Sequence, residues 1–206
     1  MPRLLVNRPA WSMVQITFTE NDFQVRDYPH YDAFVAMANV ARYTLHNILI
    51  DNRSSLDILF IKLFELMNLD RRTLEPTRNS LYGFRGKNID ALGKKAIPVS
   101  FMEDERVHTE TITFDIVNMD YPYTAIFGRC FLNKFKVVIK QSYLCMKMLS
   151  PFGIIKVHRD QIASRQIEGK PIPGYSLINE VMKRPDTNET SNENIISPRV
   201  EAGEDT

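Results

Sequence analysis

Short apolar runs separated by small polar joints recur along most of this chain, and that pattern predicts strands. Val14–Thr19 (VQITFT) alternates apolar and polar positions, the period of a half-buried strand. Asp32–Val40 and Tyr43–Ile50 flank a joint at Ala41 and Arg42, the spacing of a hairpin. Asp57–Leu69 is too long for a strand and is apolar at Ile58, Ile61, Phe64 and Met67, so it predicts a mostly buried helix bounded by Pro76. Ser54, Ser55 and Asp57 are the candidate caps of that helix.

Further along, Ser80–Phe101 carries glycines at 83, 86 and 93 between strand-like arms, the composition of a mobile hairpin with its tip at Phe84, Arg85 and Gly86, followed by a bend. Val107–Asn118 sets Ile112, Phe114 and Ile116 against threonines, a strand with one buried face. Tyr123–Gly128 predicts a shorter strand and Cys130–Phe135 a short helix. Lys136–Lys140, Tyr143–Leu149 and Gly153–Val157 predict three more strands. No repeat of solenoid period is present. The pattern predicts an all-β protein with one or two short helices.

From Gly169 the pattern stops: Gly169, Pro171, Pro173 and Gly174 break it, and the stretch from Arg184 to Thr206 is polar. Residues 169–206 are therefore expected to be a disordered linker or tail, 16–168 one domain, and 1–15 an N-terminal extension. The 206 residues, 44% of them hydrophobic, suffice for one domain with a real core.

Charge and cysteine usage narrow the function classes. With 26 basic and 25 acidic residues the formal charge is +1, which argues against nucleic acid or an acidic membrane surface as a partner. Cys130, Cys145 and the four histidines fall into no zinc or redox spacing, so neither a metal nor another cofactor is expected, and the setting read from them is reducing and intracellular, most simply the cytoplasm. No run approaches the roughly 20 apolar residues of a membrane span, so no membrane is expected.

The candidate chemistry lies at Asp51, which ends an apolar strand and is followed by Asn52, Arg53 and Ser54. Alone, Asp-Asn-Arg-Ser is ordinary turn chemistry. Its context is more telling: ILIDNRSSLDILF over Ile48–Phe60, LYGFRG over Leu81–Gly86, ALGK over Ala91–Lys94, YPYTAIFGR over Tyr121–Arg129 with LNKF at Leu132–Phe135, and YLCMKM over Tyr143–Met148. These blocks, in this order, resemble the retropepsin-like aspartic protease segment of plant gypsy-class LTR retrotransposon gag-pol polyproteins.

The resemblance implies a retropepsin-like acid protease barrel, one lobe per chain, over about Ile16–Glu168. It implies Asp51 as the catalytic acid/base, supplied once by each chain of a homodimer that cleaves a polypeptide substrate. Asn52, Arg53 and Ser54 form the active-site turn, Phe84, Arg85 and Gly86 the tip of a flap, and Ala125, Ile126 and Gly128 a strand end lining the sub-sites. It also leads one to expect reverse transcriptase, RNase H and integrase segments in the parent element.

One position departs from the family pattern. Asp-Thr/Ser-Gly is here Asp51-Asn52-Arg53. A side chain where glycine is usual is expected to crowd the turn at about 1–3 kcal/mol per chain. A guanidinium beside Asp51 would oppose the shared-proton state that such a dyad needs. The expectation is a weakened or inactive peptidase. The alternative is a non-catalytic, dimerising or peptide-binding remnant of the same fold.

Overall fold

The computed structural model describes residues 9–25, 30–84, 87–159 and 181–183. Among the described residues the backbone forms twelve strands and two short α-helices. Strands β1 (Val35–Val40) and β2 (Tyr43–Ile50) make the expected antiparallel hairpin, turned through Ala41 at φ 52°. After β2 the chain makes the Asp51 turn, then β3 (Ile58–Phe60) and α1 (Ile61–Leu66).

The single helix expected over Asp57–Leu69 is thus a strand followed by a helix. Ile58–Phe60 pairs in parallel with one strand and antiparallel with another, so sheet partners distant in sequence override the helical period of its apolar residues. None of Ser54, Ser55 and Asp57 caps α1, whose N-cap position is Phe60. The helix ends as a Schellman motif: Asn68 takes a left-handed φ of 54°, and the amides of Asn68 and Leu69 donate to the carbonyls of Glu65 and Phe64.

Next come β4 (Ser80–Phe84), β5 (Lys87–Asp90), the long β6 (Gly93–Glu103) and β7 (Arg106–Val117), then β8 (Ala125–Phe127) and α2 (Arg129–Lys134). Strands β9 (Val138–Lys140), β10 (Cys145–Ser150) and β11 (Gly153–His158) form a separate three-stranded sheet.

The main sheet closes on itself. Its order is β1-β6-β7-β3-β8-β2, and β2 returns to pair with β1, giving a ring of six strands. Closure removes the open edges that would otherwise invite pairing with other chains.

Asn47, at φ 57° and buried, kinks β2 and divides its second edge. The carbonyls of His46 and Asn47 accept the hydroxyl and the amide of Thr124, and β8 then pairs with Ile48–Ile50 in parallel. The first part of that edge, Tyr43–Leu45, carries β12 (Val181–Lys183), three residues from within the stretch read as a tail.

Strand alternation sorts side chains into two apolar clusters. Leu59, Ile48, Ile50, Ala125, Phe127, Ile112, Phe114 and Ile116 face the main core, where Phe101, Phe131 and Phe135 stack at centroid separations of 5.0–5.6 Å. Their neighbours Ile58, Phe60, Val117 and Ile126 face a second cluster outside the ring, joined by Leu49, Leu56, Ile89, Ala91, Met119 and Tyr121.

Val14–Thr19 is in no strand. Ile16 and Phe18 do turn inward, so the alternation is real, but side chains anchor the segment in place of a sheet ladder. Buried Lys147 on β10 donates to the Thr17 carbonyl and to Asp22, both at 2.7 Å, and lies over the Phe18 ring. The burial of Asp22 works against its charge. Lys147, the Thr19 amide and Lys156 outweigh that burial and bring its pKa down to about 2.

Candidate functional site

Asp51 stands where β2 runs out of partners. Its backbone N–H donates to the Phe127 carbonyl at 2.9 Å, one step beyond the last β2–β8 pair, so the parallel ladder itself fixes where the acid sits. The side chain is half-buried, and its Oδ1 accepts the Arg53 N–H at 2.8 Å while its carbonyl accepts the Ser54 N–H at 3.2 Å. Both bonds lie within the turn, the self-satisfying geometry that Asp adopts at such positions.

Asn52 and Arg53 are exposed and Ser54 is half-buried, its hydroxyl donating to the Leu56 carbonyl at 2.7 Å. Arg53 is not among the residues with positive φ. The turn therefore adopts a backbone open to an L side chain. The Arg53 guanidinium forms no ion pair with Asp51 among the described residues; Arg53 meets that carboxylate through its amide alone.

Three consecutive residues, from the last of β8 to the first of α2, clamp this turn. Phe127 holds Asp51; the Arg129 amide donates to the Ser54 carbonyl at 3.0 Å; and the Arg129 guanidinium donates to the Arg53 carbonyl at 3.0 Å. Between them Gly128 packs so closely under the turn that a Cβ on it would lie 2.4 Å from the Leu56 oxygen and 2.8 Å from the Ser54 oxygen. Its φ of −98° is open to any residue, so close approach and not backbone conformation is what calls for glycine.

Asp57 completes the clamp. It is buried, and its Oδ1 accepts the Gly128 N–H at 2.6 Å. Burial raises its pKa to about 6, against the pull of the Gly128 and Phe131 amides and of Lys134. The acid that local sequence offers as a cap for α1 is spent at the start of α2.

The predicted strand-end residues divide by face. Ile126 joins the second apolar cluster beside the turn, Ala125 points into the main core, and Gly128 lies beneath the turn. Of the predicted flap, β4 and β5 form the hairpin, with Phe84 paired to Lys87 at its end, and Arg85 and Gly86 lie outside the described residues. Ile89 and Ala91 at the hairpin's return pack on the cluster next to Asp51.

Tyr121 is the residue that pattern reasoning passed over. It stacks on Phe60 and Tyr123, and burial, with the charge of Asp51 added, raises its pKa. Its signal was the aromatic pair in YPYTAIFGR. Beside it opens a cavity of about 240 Å³ bordered by Phe60, Leu63, Met119, Pro122 and Tyr123, with Lys62 and Asp120 ion-paired nearby.

His108 is buried against Trp11 and Phe135 and contacts Glu110 at 3.1 Å, a packed core histidine. Burial pushes the Cys145 thiol up to about 11 and leaves it inert. Among the described residues no group of three or more His, Cys, Asp or Glu is placed to hold a metal ion, and no helix is long and apolar enough to cross a membrane.

No protein-family model matches the sequence, and no curated protein matches it. Solved structures do. The retroviral protease-like domain of Ddi1 from Leishmania major is 14% identical over 63% of this chain and 95% of that one, with a TM-score of 0.48. A retropepsin-like aspartic protease from Rickettsia conorii is 16% identical over 62% and 88%, TM-score 0.40. EIAV protease in an inhibitor complex is 14% identical over 55% and 98%, TM-score 0.38. These likenesses are too loose to carry function, which has to rest on the site's own residues.

Proposed function

We propose that the chain is one subunit of a retropepsin-type aspartic endopeptidase derived from an LTR retrotransposon, with Asp51 as its catalytic carboxylate. The observation that carries this reading is the seating of Asp51: half-buried at a strand end, fixed through its amide by Phe127, and flanked by the apolar cluster of Leu49, Ile58 and Ile126 under a β-hairpin. A carboxylate next to an apolar wall suits hydrolysis at apolar peptide positions.

One carboxylate per chain is half of the machinery. Two brought a few ångströms apart share one proton, because both cannot ionise readily. The charged one takes a proton from water as it attacks, and the neutral one gives a proton to the peptide carbonyl oxygen. A homodimer places the second Asp51.

Arg53 weakens this machinery at the dimer axis and not within the turn. Two exposed guanidinium groups meet where family members carry glycine, and like charges at short range disfavour closure. The free thiols of Cys130 and Cys145 suit an intracellular setting.

The test is cleavage of apolar peptides at mildly acid pH by the parent, Asp51→Asn, Arg53→Gly and the double variant. Weak or absent cleavage in the parent, a gain in Arg53→Gly and its loss on adding Asp51→Asn are expected. Cleavage that survives Asp51→Asn, or silence in Arg53→Gly together with failure to bind a statine-type inhibitor, would overturn the reading in favour of the non-catalytic peptide-binding module.

A further inference from the structure

Four hydrogen bonds tie the Asp51 loop to Phe127, Gly128 and Arg129, at the junction of β8 and α2. The Phe127 carbonyl, the Arg129 amide and the Arg129 guanidinium all reach backbone atoms of residues 51–54. The fourth uses a side chain of the loop as acceptor: the carboxyl of Asp57, at the far end of the same loop, accepts the amide of Gly128 at 2.6 Å. The Gly128 backbone is also the surface on which the loop rests, since the Ser54 and Leu56 carbonyls leave no room for a Cβ there. Whatever moves Gly128 moves the turn.

We propose that Asp57 is a positioning residue for Asp51: its carboxyl group fastens the Asp51-bearing loop to the first turn of α2 and sets how tightly the loop is seated on Gly128. The inference rests on the proposed catalytic role of Asp51, but its measurement does not require cleavage.

The surroundings of Asp57 make this fastening sensitive to pH. The groups that face it are the Gly128 and Phe131 amides and Lys134 from α2, which favour the carboxylate, and Asp115 from β7, which opposes it. Asp115 itself accepts hydrogen bonds from the Asn79 side-chain amide at 3.1 Å. Asp115 also donates its amide to the Asp57 carbonyl at 2.8 Å, which ties the loop to the barrel wall. With burial the dominant influence, Asp57 changes charge at about pH 6. A carboxylate accepts amide hydrogen bonds about twice as strongly as a neutral acid does. Burial outweighs that gain: the seated loop is favoured with Asp57 neutral, below about pH 6, and its hold on Gly128 slackens as the buried charge forms above it.

The test is a pH titration of backbone amide resonances in the full chain, parent against Asp57→Asn and Asp57→Ala. In the parent the amides of Gly128, Phe131 and Asn52–Ser54 shift together with a common midpoint near 6. Asp57→Asn keeps an acceptor for Gly128 but loses the titration, so those resonances stay flat through that range. Asp57→Ala loses both, and amide exchange at Gly128 and Ser54 speeds up at least tenfold relative to the β6–β7 amides. If Asp57→Ala does not fold, the flat titration of Asp57→Asn decides. The inference is overturned if the turn amides do not follow Gly128, or if the midpoint survives in Asp57→Asn. An inactive dyad shows itself in the cleavage assay and leaves these shifts as they are.

Discussion

Asp51 and Phe127 are joined by a backbone hydrogen bond of 2.9 Å that extends the parallel pairing of β2 with β8 past the last residue of β2. The position of the acid is therefore set by a strand far along the chain, and the turn around it adjusts to that position.

Gly128→Ala places a methyl group where only 2.4 Å separates it from the Leu56 carbonyl oxygen, and backbone cannot yield as a side-chain tip can. Overpacking of this sort destabilises by about 1–3 kcal/mol. Chemical denaturation is expected to show that loss. A neutral Gly128→Ala would mean that the loop is not seated as described.

Arg53→Gly is expected to leave the single chain slightly less stable, by about 0.4–1 kcal/mol, because Arg53 has no positive φ to relieve and glycine adds freedom to the unfolded chain. Its benefit belongs to dimer closure and cleavage. Urea unfolding at low concentration separates the two, and a marked stabilisation of the monomer would show a strained turn after all.

Asp57 gives stability an unusual pH slope. Its folded pKa of about 6 lies above the ordinary carboxyl value of 3.8, so the folded state binds the proton more tightly than the unfolded one. The stability tied to that proton is complete below 3.8 and is lost as the pH rises through 6, a fall on the order of 2–3 kcal/mol. Subtracting the stability profile of Asp57→Asn from that of the parent isolates the slope, since the other carboxylates are common to both. A difference that is flat, or that rises with pH, would refute it.

Lys147→Met strands a carboxylate. Asp22 is 2% exposed and takes its strongest support from Lys147 at 2.7 Å, leaving Lys156 at 3.6 Å as the remaining cation. Removing one partner of a buried pair destabilises by about 3–5 kcal/mol. The sign is opposite to that of Asp57: with a folded pKa near 2, the stability from Asp22 is present above 3.8 and is lost as the pH falls through 2. Thermal melts at pH 7 and pH 3 should show the variant's deficit shrinking in acid.

Local sequence was a reliable guide wherever the deciding contacts are also local. The β1–β2 hairpin turns at Ala41, where the polar joint predicts it; β7 buries Ile112, Phe114 and Ile116 as its alternation requires; and α2 begins and ends within one residue of its apolar pattern. The placement of Asp51 at a strand end was legible for the same reason. An apolar run followed at once by Asp, Asn and Arg leaves few other arrangements.

What the sequence could not decide is which distant groups these elements meet. Ile58–Phe60 has a helical period but lies as a strand between β7 and β8. Val14–Thr19 alternates like a strand but is held by Lys147 and forms no strand pair among the described residues. Asp57 has the local chemistry of a cap for the helix that follows it, and it serves instead the helix that begins at Arg129. Tyr121 became part of the site only because its ring comes to rest in the field of Asp51. Periodicity records which face of an element is apolar; the partner of a carboxyl, an amide or a strand edge is chosen by chain closure, which brings together residues that share no local pattern.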